Sequence, residues 1–104
     1  MEQYIKLSEI FMNEARITGE HGHYYPGALQ VLEKALNVKD ISQDQEFRTL
    51  TLKASVLLSQ HEFSNALNIA KEAIVLNKYN AQIYGVLVDA YVELGDYKNA
   101  VKMA

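Results

Sequence analysis

Hydrophobic residues recur at helical spacing along most of the chain. Leu50, Ala54, Leu57 and Leu58 are spaced so that they share one face of a helix. Comparable spacing occurs in five further segments, so the pattern predicts an all-α protein. The predicted helices cover about residues 2–20, 26–36, 43–60, 63–76, 81–94 and 97–104.

Short polar and glycine-containing segments separate the predicted helices. Gly19 and Gly22 end the first helix. The predicted turn at 22–25 leads to Pro26, whose missing N–H is not needed in the first turn of a helix. The other predicted signals are a capping box of Ser42 with Gln45, the N-caps Asn80 and Asp96, and a left-handed C-terminal cap at Gly95.

One short phrase occurs twice in the chain, 34 positions apart. Residues 61–67 read His-Glu-Phe-Ser-Asn-Ala-Leu, and residues 95–101 read Gly-Asp-Tyr-Lys-Asn-Ala-Val. A fixed period of this length is typical of stacked helical hairpins. Proteins built in this way present extended surfaces to other molecules, so the repeat favours binding over catalysis.

The repeated segments resemble the tetratricopeptide repeat (TPR) family. The matching large, small and turn residues are Tyr84, Leu87, Ala90, Tyr91, Gly95, Asp96, Tyr97, Ala100 and Ala104 in the last copy, Leu50, Ala54, Leu57, Phe63, Ala66, Ala70 and Ala73 in the middle copy, and Ala28, Leu32 and Ala35 in a degenerate first copy. The resemblance implies one domain over residues 1–104, an α-solenoid formed as a right-handed superhelical stack of antiparallel helical hairpins. It contains about two and a half repeats, over about residues 5–42, 47–80 and, truncated, 81–104.

Several positions depart from the family pattern. His23 and His61 stand where the family usually has glycine, Lys53 replaces a core leucine, and Arg16 occupies a place that is normally small. The sixth predicted helix is short and lacks a neighbour for Val101. This end predicts a fragment of a longer protein or self-association in which a second copy covers the helix.

The resemblance also implies a concave groove that binds a peptide or helix of a partner protein. The residues expected to face it are Asn13, Ile17, Arg48, Thr51, Ser55, Ser59, Gln82, Asp89 and Glu93. Asp89 and Glu93 are one turn apart, so they share a face that is either simply solvated or accepts a basic or amide-rich segment. The cations with which some TPR domains hold a chaperone's C-terminal carboxylate are missing at the matching positions, which argues against that ligand.

Composition argues against several other kinds of partner. The net charge is -3 and the ten basic residues are scattered, so nucleic-acid binding has no basic stripe to support it. The chain has no cysteine, which removes disulfides and cysteine-based zinc sites. No run approaches the roughly 18 apolar residues of a membrane span. The compartment stays undetermined: the cytoplasm is favoured, and a periplasmic location would require an upstream signal that has been removed.

No sequence motif indicates catalysis, because the chain has no glycine-rich phosphate loop, no HExxH and no GxSxG. We therefore expect no enzyme activity, no cofactor and no metal. His21 and His23 suggest a metal-responsive turn as a third hypothesis, but a stable site needs three or four ligands. The expected function is a non-catalytic protein–protein interaction scaffold. The alternative is a structural or oligomerisation segment of a larger multidomain protein with no groove ligand.

Overall fold

A computed structural model describes the backbone of residues 1–104 and every side chain except that of His21. Over this range the chain forms six α-helices and no strand. Their bounds are α1 Glu2–Thr18, α2 His21–Leu36, α3 Gln43–Ser59, α4 Phe63–Leu76, α5 Ala81–Glu93 and α6 Tyr97–Met103. The predicted all-α class is therefore confirmed.

Local hydrogen bonds at the helix ends agree with the sequence signals. Gln45 N donates to Ser42 Oγ over 3.1 Å, and Ser42 N donates to Gln45 Oε1 over 3.2 Å, which completes the predicted capping box. Asn80 and Asp96 each accept a backbone N–H from the helix that they precede. Gly95 has the predicted left-handed conformation, with φ 78°. These ends form from short-range contacts alone.

The predicted start of α2 is wrong. The helix begins at His21, and the segment 22–25 belongs to it, so Pro26 is its sixth residue. A proline there removes the N–H that would bond the carbonyl of Gly22, but Gly22 is exposed and water can bond that carbonyl. Tyr25 is buried, and Tyr24 packs near Phe11 with ring centroids 6.3 Å apart. Burial of this aromatic pair stabilises a turn of helix that local signals argue against.

The two histidines expected at glycine places behave differently. His61 has φ 62°, the left-handed conformation that the family pattern predicts there. His23 instead lies inside α2, so the expectation of a left-handed residue at this position is wrong. Asp40, in the connection between α2 and α3, is the other non-glycine residue with positive φ, at 62°. Aspartate and histidine tolerate this conformation better than most residues do.

The helices contact one another in an order that follows the chain. Consecutive helices pair as α1 with α2, α3 with α4 and α5 with α6, while α2 contacts α3 and α4 contacts α5. In addition α1 contacts α3, and α3 contacts α5. The first helices of the three pairs therefore lie side by side as one layer.

Small residues occupy the places where helices cross. Ala66, Ala70 and Ala73 of α4 and Ala54 of α3 are fully buried, and the last three share one core cluster with Ile83, Leu87 and Tyr91 of α5. A second cluster joins α1, α2 and α3 through Ala15, Tyr25, Ala28, Leu32 and Val56. Because alanine lets two backbones approach closely, the larger side chains fill the space beside each crossing.

Two expected departures have structural partners. Lys53, at a core-leucine place, extends from α3 to α2, where its Nζ pairs with the Glu33 carboxylate. Arg16 is exposed, and its Nη2 donates to Asn13 Oδ1 over 2.8 Å. In each case the charged head meets a polar partner and the stem packs along its helix. Among the described residues, no helix has the length and apolar character needed to cross a membrane.

Removing the capping box at α3 is expected to weaken the fold. Ser42→Ala leaves the Gln45 N–H without its side-chain acceptor, so the free energy of unfolding should fall by about 1 kcal/mol in urea titrations. Ser64→Ala, at an exposed position of α4, is the matched control and should change it by less than about 0.5 kcal/mol. Equal losses in the two variants would contradict the role of the cap.

Enlarging a crossing residue is expected to separate the helices. Ala70→Leu adds three carbons at a fully buried position, and such overpacking should cost about 1–3 kcal/mol in thermal or urea unfolding. Ala81→Leu, at the exposed start of α5, adds the same atoms without that penalty. An Ala70 variant as stable as the Ala81 variant would show that the crossing has spare room.

Candidate functional site

The layer of α1, α3 and α5 carries two adjoining hollows, which we call the α1–α3–α5 surface. The smaller hollow, about 160 Å³, is lined by Ile5, Glu9, Phe47, Arg48, Thr51, Leu52, Asn80 and Gln82. The larger, about 370 Å³, is lined by Glu9, Met12, Asn13, Arg16, Tyr25, Leu52, Ser55, Ser59 and Gln82. Three residues, Glu9, Leu52 and Gln82, line both, so the two hollows form one continuous depression.

Six of the nine residues predicted to bind a partner line this depression. Arg48 and Thr51 line the smaller hollow, and Asn13, Ser55 and Ser59 line the larger. The sixth, Gln82 of α5, belongs to both. Residues that are far apart in sequence are thus brought to one surface because the three helices lie side by side.

The larger hollow combines uncharged hydrogen-bonding groups with an apolar floor. Ser55, Ser59 and Gln82 carry hydroxyl and amide groups, whereas Met12 and Leu52 pack against the core beneath. Hydroxyls and side-chain amides both donate and accept hydrogen bonds. This arrangement suits the backbone amides of a bound segment together with an apolar side chain.

Thr51 contributes shape to the smaller hollow more than a free polar group. Its side chain is buried, with the residue only 4% exposed, and its hydroxyl donates to the Phe47 carbonyl over 2.8 Å. The hydroxyl is therefore already bonded within its own helix.

Arg48 is held by acidic partners on two helices. Its Nη1 lies 3.0 Å from the Glu2 carboxylate of α1 and 3.9 Å from Asp44, one turn earlier on α3. Gln45 Nε2 donates to the same Glu2 carboxylate over 3.2 Å. The hydrogen bonds from Gln45 and then from Arg48 lower the pKa of Glu2 below its ordinary value. Much of the Arg48 charge is thus compensated by a link between α1 and α3.

Three of the predicted residues lie outside this depression. Ile17 is 78% exposed near the end of α1. Asp89 lines a different hollow, between α5 and α6, where Lys102 also lies. Glu93 is exposed one turn further along α5. The structure therefore places the acidic pair apart from the uncharged groups of α1 and α3.

Sequence reasoning missed Glu9, which lines both hollows. The signal was present, because Glu9 is four positions before Asn13 and helical spacing puts the two on one face. Arg16 was noted only as an oversized residue, yet it lines the larger hollow beside Asn13.

The metal hypothesis concerns the beginning of α2. His23 is exposed there, whereas the side chain of His21 lies outside the described part of the chain. Among the described side chains, no group of three or more histidine, aspartate or glutamate residues is placed to hold a metal ion.

Comparison with known proteins places the chain in a family. The model of the ChAPs family, described as Chs5p-Arf1p-binding proteins, matches residues 26–103. This match covers most of the chain, so the chain belongs to the ChAPs family. Searches of curated proteins and of solved structures found no match.

The Glu2 cluster predicts a pH-dependent contribution to stability. Because folding lowers the pKa of Glu2, the contribution is present above the ordinary value of 4.5 and is lost as the pH falls through the lowered value. Glu2→Gln should therefore be less stable than the wild type at neutral pH, and the difference should vanish in acid. Urea unfolding at both pH values measures it.

Glu72→Gln is the matched control for this experiment, since it removes one exposed carboxylate of α4 outside the cluster. It should leave the pH dependence of unfolding close to that of the wild type. A Glu2→Gln deficit of the same size in acid as at neutral pH would show that the cluster does not stabilise the fold through the charge of Glu2.

Proposed function

We propose that this chain, as a member of the ChAPs family, is a non-catalytic protein-binding module for Chs5p-like or Arf1p-like partners. The family description supplies the kind of partner. The proposal involves no cofactor, metal or nucleic acid, and it leaves the compartment open. It is the interaction scaffold expected from the repeat, now with a class of partner attached.

The binding surface in this proposal is the α1–α3–α5 surface. We regard it as the concave side of a right-handed, TPR-like stack in which an extended peptide or a helix lies along the three helices. The observation that carries this proposal is the continuous depression with hydrogen-bonding groups above an apolar floor. Peptide-binding surfaces of helical stacks have this combination, because apolar contacts give affinity while polar groups fix orientation.

The uncharged residues would make the central contacts. Asn13, Ser55, Ser59 and Gln82 would bond the partner segment, and Thr51 would shape the surface beneath it. Arg48 would lie at one end, already paired with Glu2. Ile17, Asp89 and Glu93 would contact the partner only if its segment extends past the depression. Their separate location makes them the outer part of the proposed site.

A second candidate function is a structural or oligomerisation segment. The observation in its favour is the hollow between α5 and α6, which presents apolar side chains away from the α1–α3–α5 surface. Association through that hollow would leave the proposed partner site open, so the two functions are compatible and separately testable.

The partner-binding proposal is tested by placing charge in the depression. Ser59→Arg with Gln82→Arg fills it with two long cations at exposed positions, so the fold should persist. Binding to purified Chs5p or Arf1p, measured by surface plasmon resonance, should weaken at least about tenfold, equivalent to about 1.4 kcal/mol. Circular dichroism checks that the helical content is unchanged.

Ser64→Arg with Asn68→Arg is the matched control, because it adds the same charge at exposed positions of α4. This control should retain wild-type affinity. Asp89→Lys with Glu93→Lys forms a further arm that asks whether the partner reaches the acidic pair. If both partners bind the Ser59/Gln82 variant as tightly as the control, the depression is not the binding site.

A further inference from the structure

The hollow between α5 and α6 is the largest apolar depression described on the chain that has no role in the α1–α3–α5 surface. It measures about 710 Å³ and is lined by Ala81, Tyr84, Gly85, Val88, Asp89, Lys102, Met103 and Ala104. Tyr84, Val88 and Met103 supply its apolar wall. Asp89 and Lys102 place one charge of each sign beside it.

The internal repeat relates this hollow to a part of the core. A shift of 34 positions places Tyr84 on Leu50, Val88 on Ala54, Met103 on Ile69 and Ala104 on Ala70. The residues on which they fall belong to the core cluster of α3 and α4 or pack against it. The hollow is thus the repeat equivalent of a surface that is buried within the chain.

That buried surface is filled by the first helix of the next hairpin. Helix α5 contacts both α3 and α4, and it contributes Ile83, Val86 and Leu87 to their shared cluster. The occupant that fits the equivalent hollow is therefore an amphipathic helix of the same kind, the first helix of a hairpin.

Helix α1 is such a helix, and it has an apolar stripe directed away from its own core. Leu7, Ile10 and Ile17 are 39%, 49% and 78% exposed, respectively, and helical spacing puts them on one side. The buried residues Ile5 and Ala15 lie on the opposite side.

The charges beside the stripe also match those at the hollow. Lys6 and Glu14 lie next to the exposed residues of α1, so both faces carry one charge of each sign. Unlike charges at the rim favour one register of association over others.

We propose that the α5–α6 hollow of one copy of this chain receives α1 of a second copy, head to tail. The second copy continues the order of contacts that α5 makes with α3 and α4. The two contacting faces differ, so the association is heterologous and adds further copies instead of stopping at a closed dimer. The inference does not depend on partner binding at the α1–α3–α5 surface.

The test uses one variant for each face. Gly85→Glu places a charged side chain in the hollow, and a Cβ at this position meets no atom within 4 Å, so the monomer accommodates it. Ile10→Glu places a charge in the stripe at an exposed position. Light scattering over a concentration series should show a mass that rises beyond the dimer for wild type and stays monomeric for each variant.

Mixing the two variants provides the decisive measurement. The intact hollow of the Ile10 variant should bind the intact stripe of the Gly85 variant, and the charged faces should stop growth at the dimer. Val75→Glu, at an exposed position of α4, is the control and should assemble as the wild type does. Circular dichroism and urea unfolding verify that each variant is folded.

Three results would overturn the proposal. They are a wild-type chain that stays monomeric at every concentration, continued assembly of either single variant, and a mixture that remains monomeric. The last result would point to a contact between like faces. Because none of these measurements includes Chs5p or Arf1p, they leave the partner-binding proposal to be judged on its own experiment.

Discussion

The structure depends on close helix crossings at alanine. Fully buried alanines on all of the first five helices let neighbouring backbones approach, and larger side chains such as Leu32 and Ile83 fill the space beside them. The layer of α1, α3 and α5 exists because each of these helices also packs on the second helix of a neighbouring pair. The α1–α3–α5 surface is the exposed side of that layer. Its shape therefore follows from residues that never reach it.

Charge and neutral polarity have different places in this molecule. Charged side chains join helices: Arg48 and Gln45 hold the Glu2 carboxylate of α1, and Lys53 of α3 pairs with Glu33 of α2. Ser55, Ser59 and Gln82 remain along the depression as uncharged groups. Exposed ion pairs contribute little free energy singly, so their main effect here is to set which helix faces meet. A partner bound at this surface would meet hydrogen-bonding groups whose positions are already set by the packing below.

The internal repeat gives the two ends of the stack related surfaces. The hollow between α5 and α6 corresponds to the surface on which α5 itself packs, and α1 presents apolar residues at the other end. Membership of the ChAPs family directs attention to protein partners. The repeat adds that helices of this chain are themselves a suitable kind of ligand for its own exposed end.

The sequence by itself determined the all-α class, most helix bounds and the caps at Ser42, Asn80 and Asp96, because these depend on spacing and on bonds across a few residues. It also selected six residues of the depression through the repeat. Tertiary structure decided the rest. Packing of Tyr24 and Tyr25 against α1 extended α2 back to His21, across a segment that reads locally as a turn. The lateral contacts of three helices brought Glu9 beside Gln82 and left Asp89 in another hollow. Such placements arise from contacts between residues far apart in sequence, which no local pattern encodes.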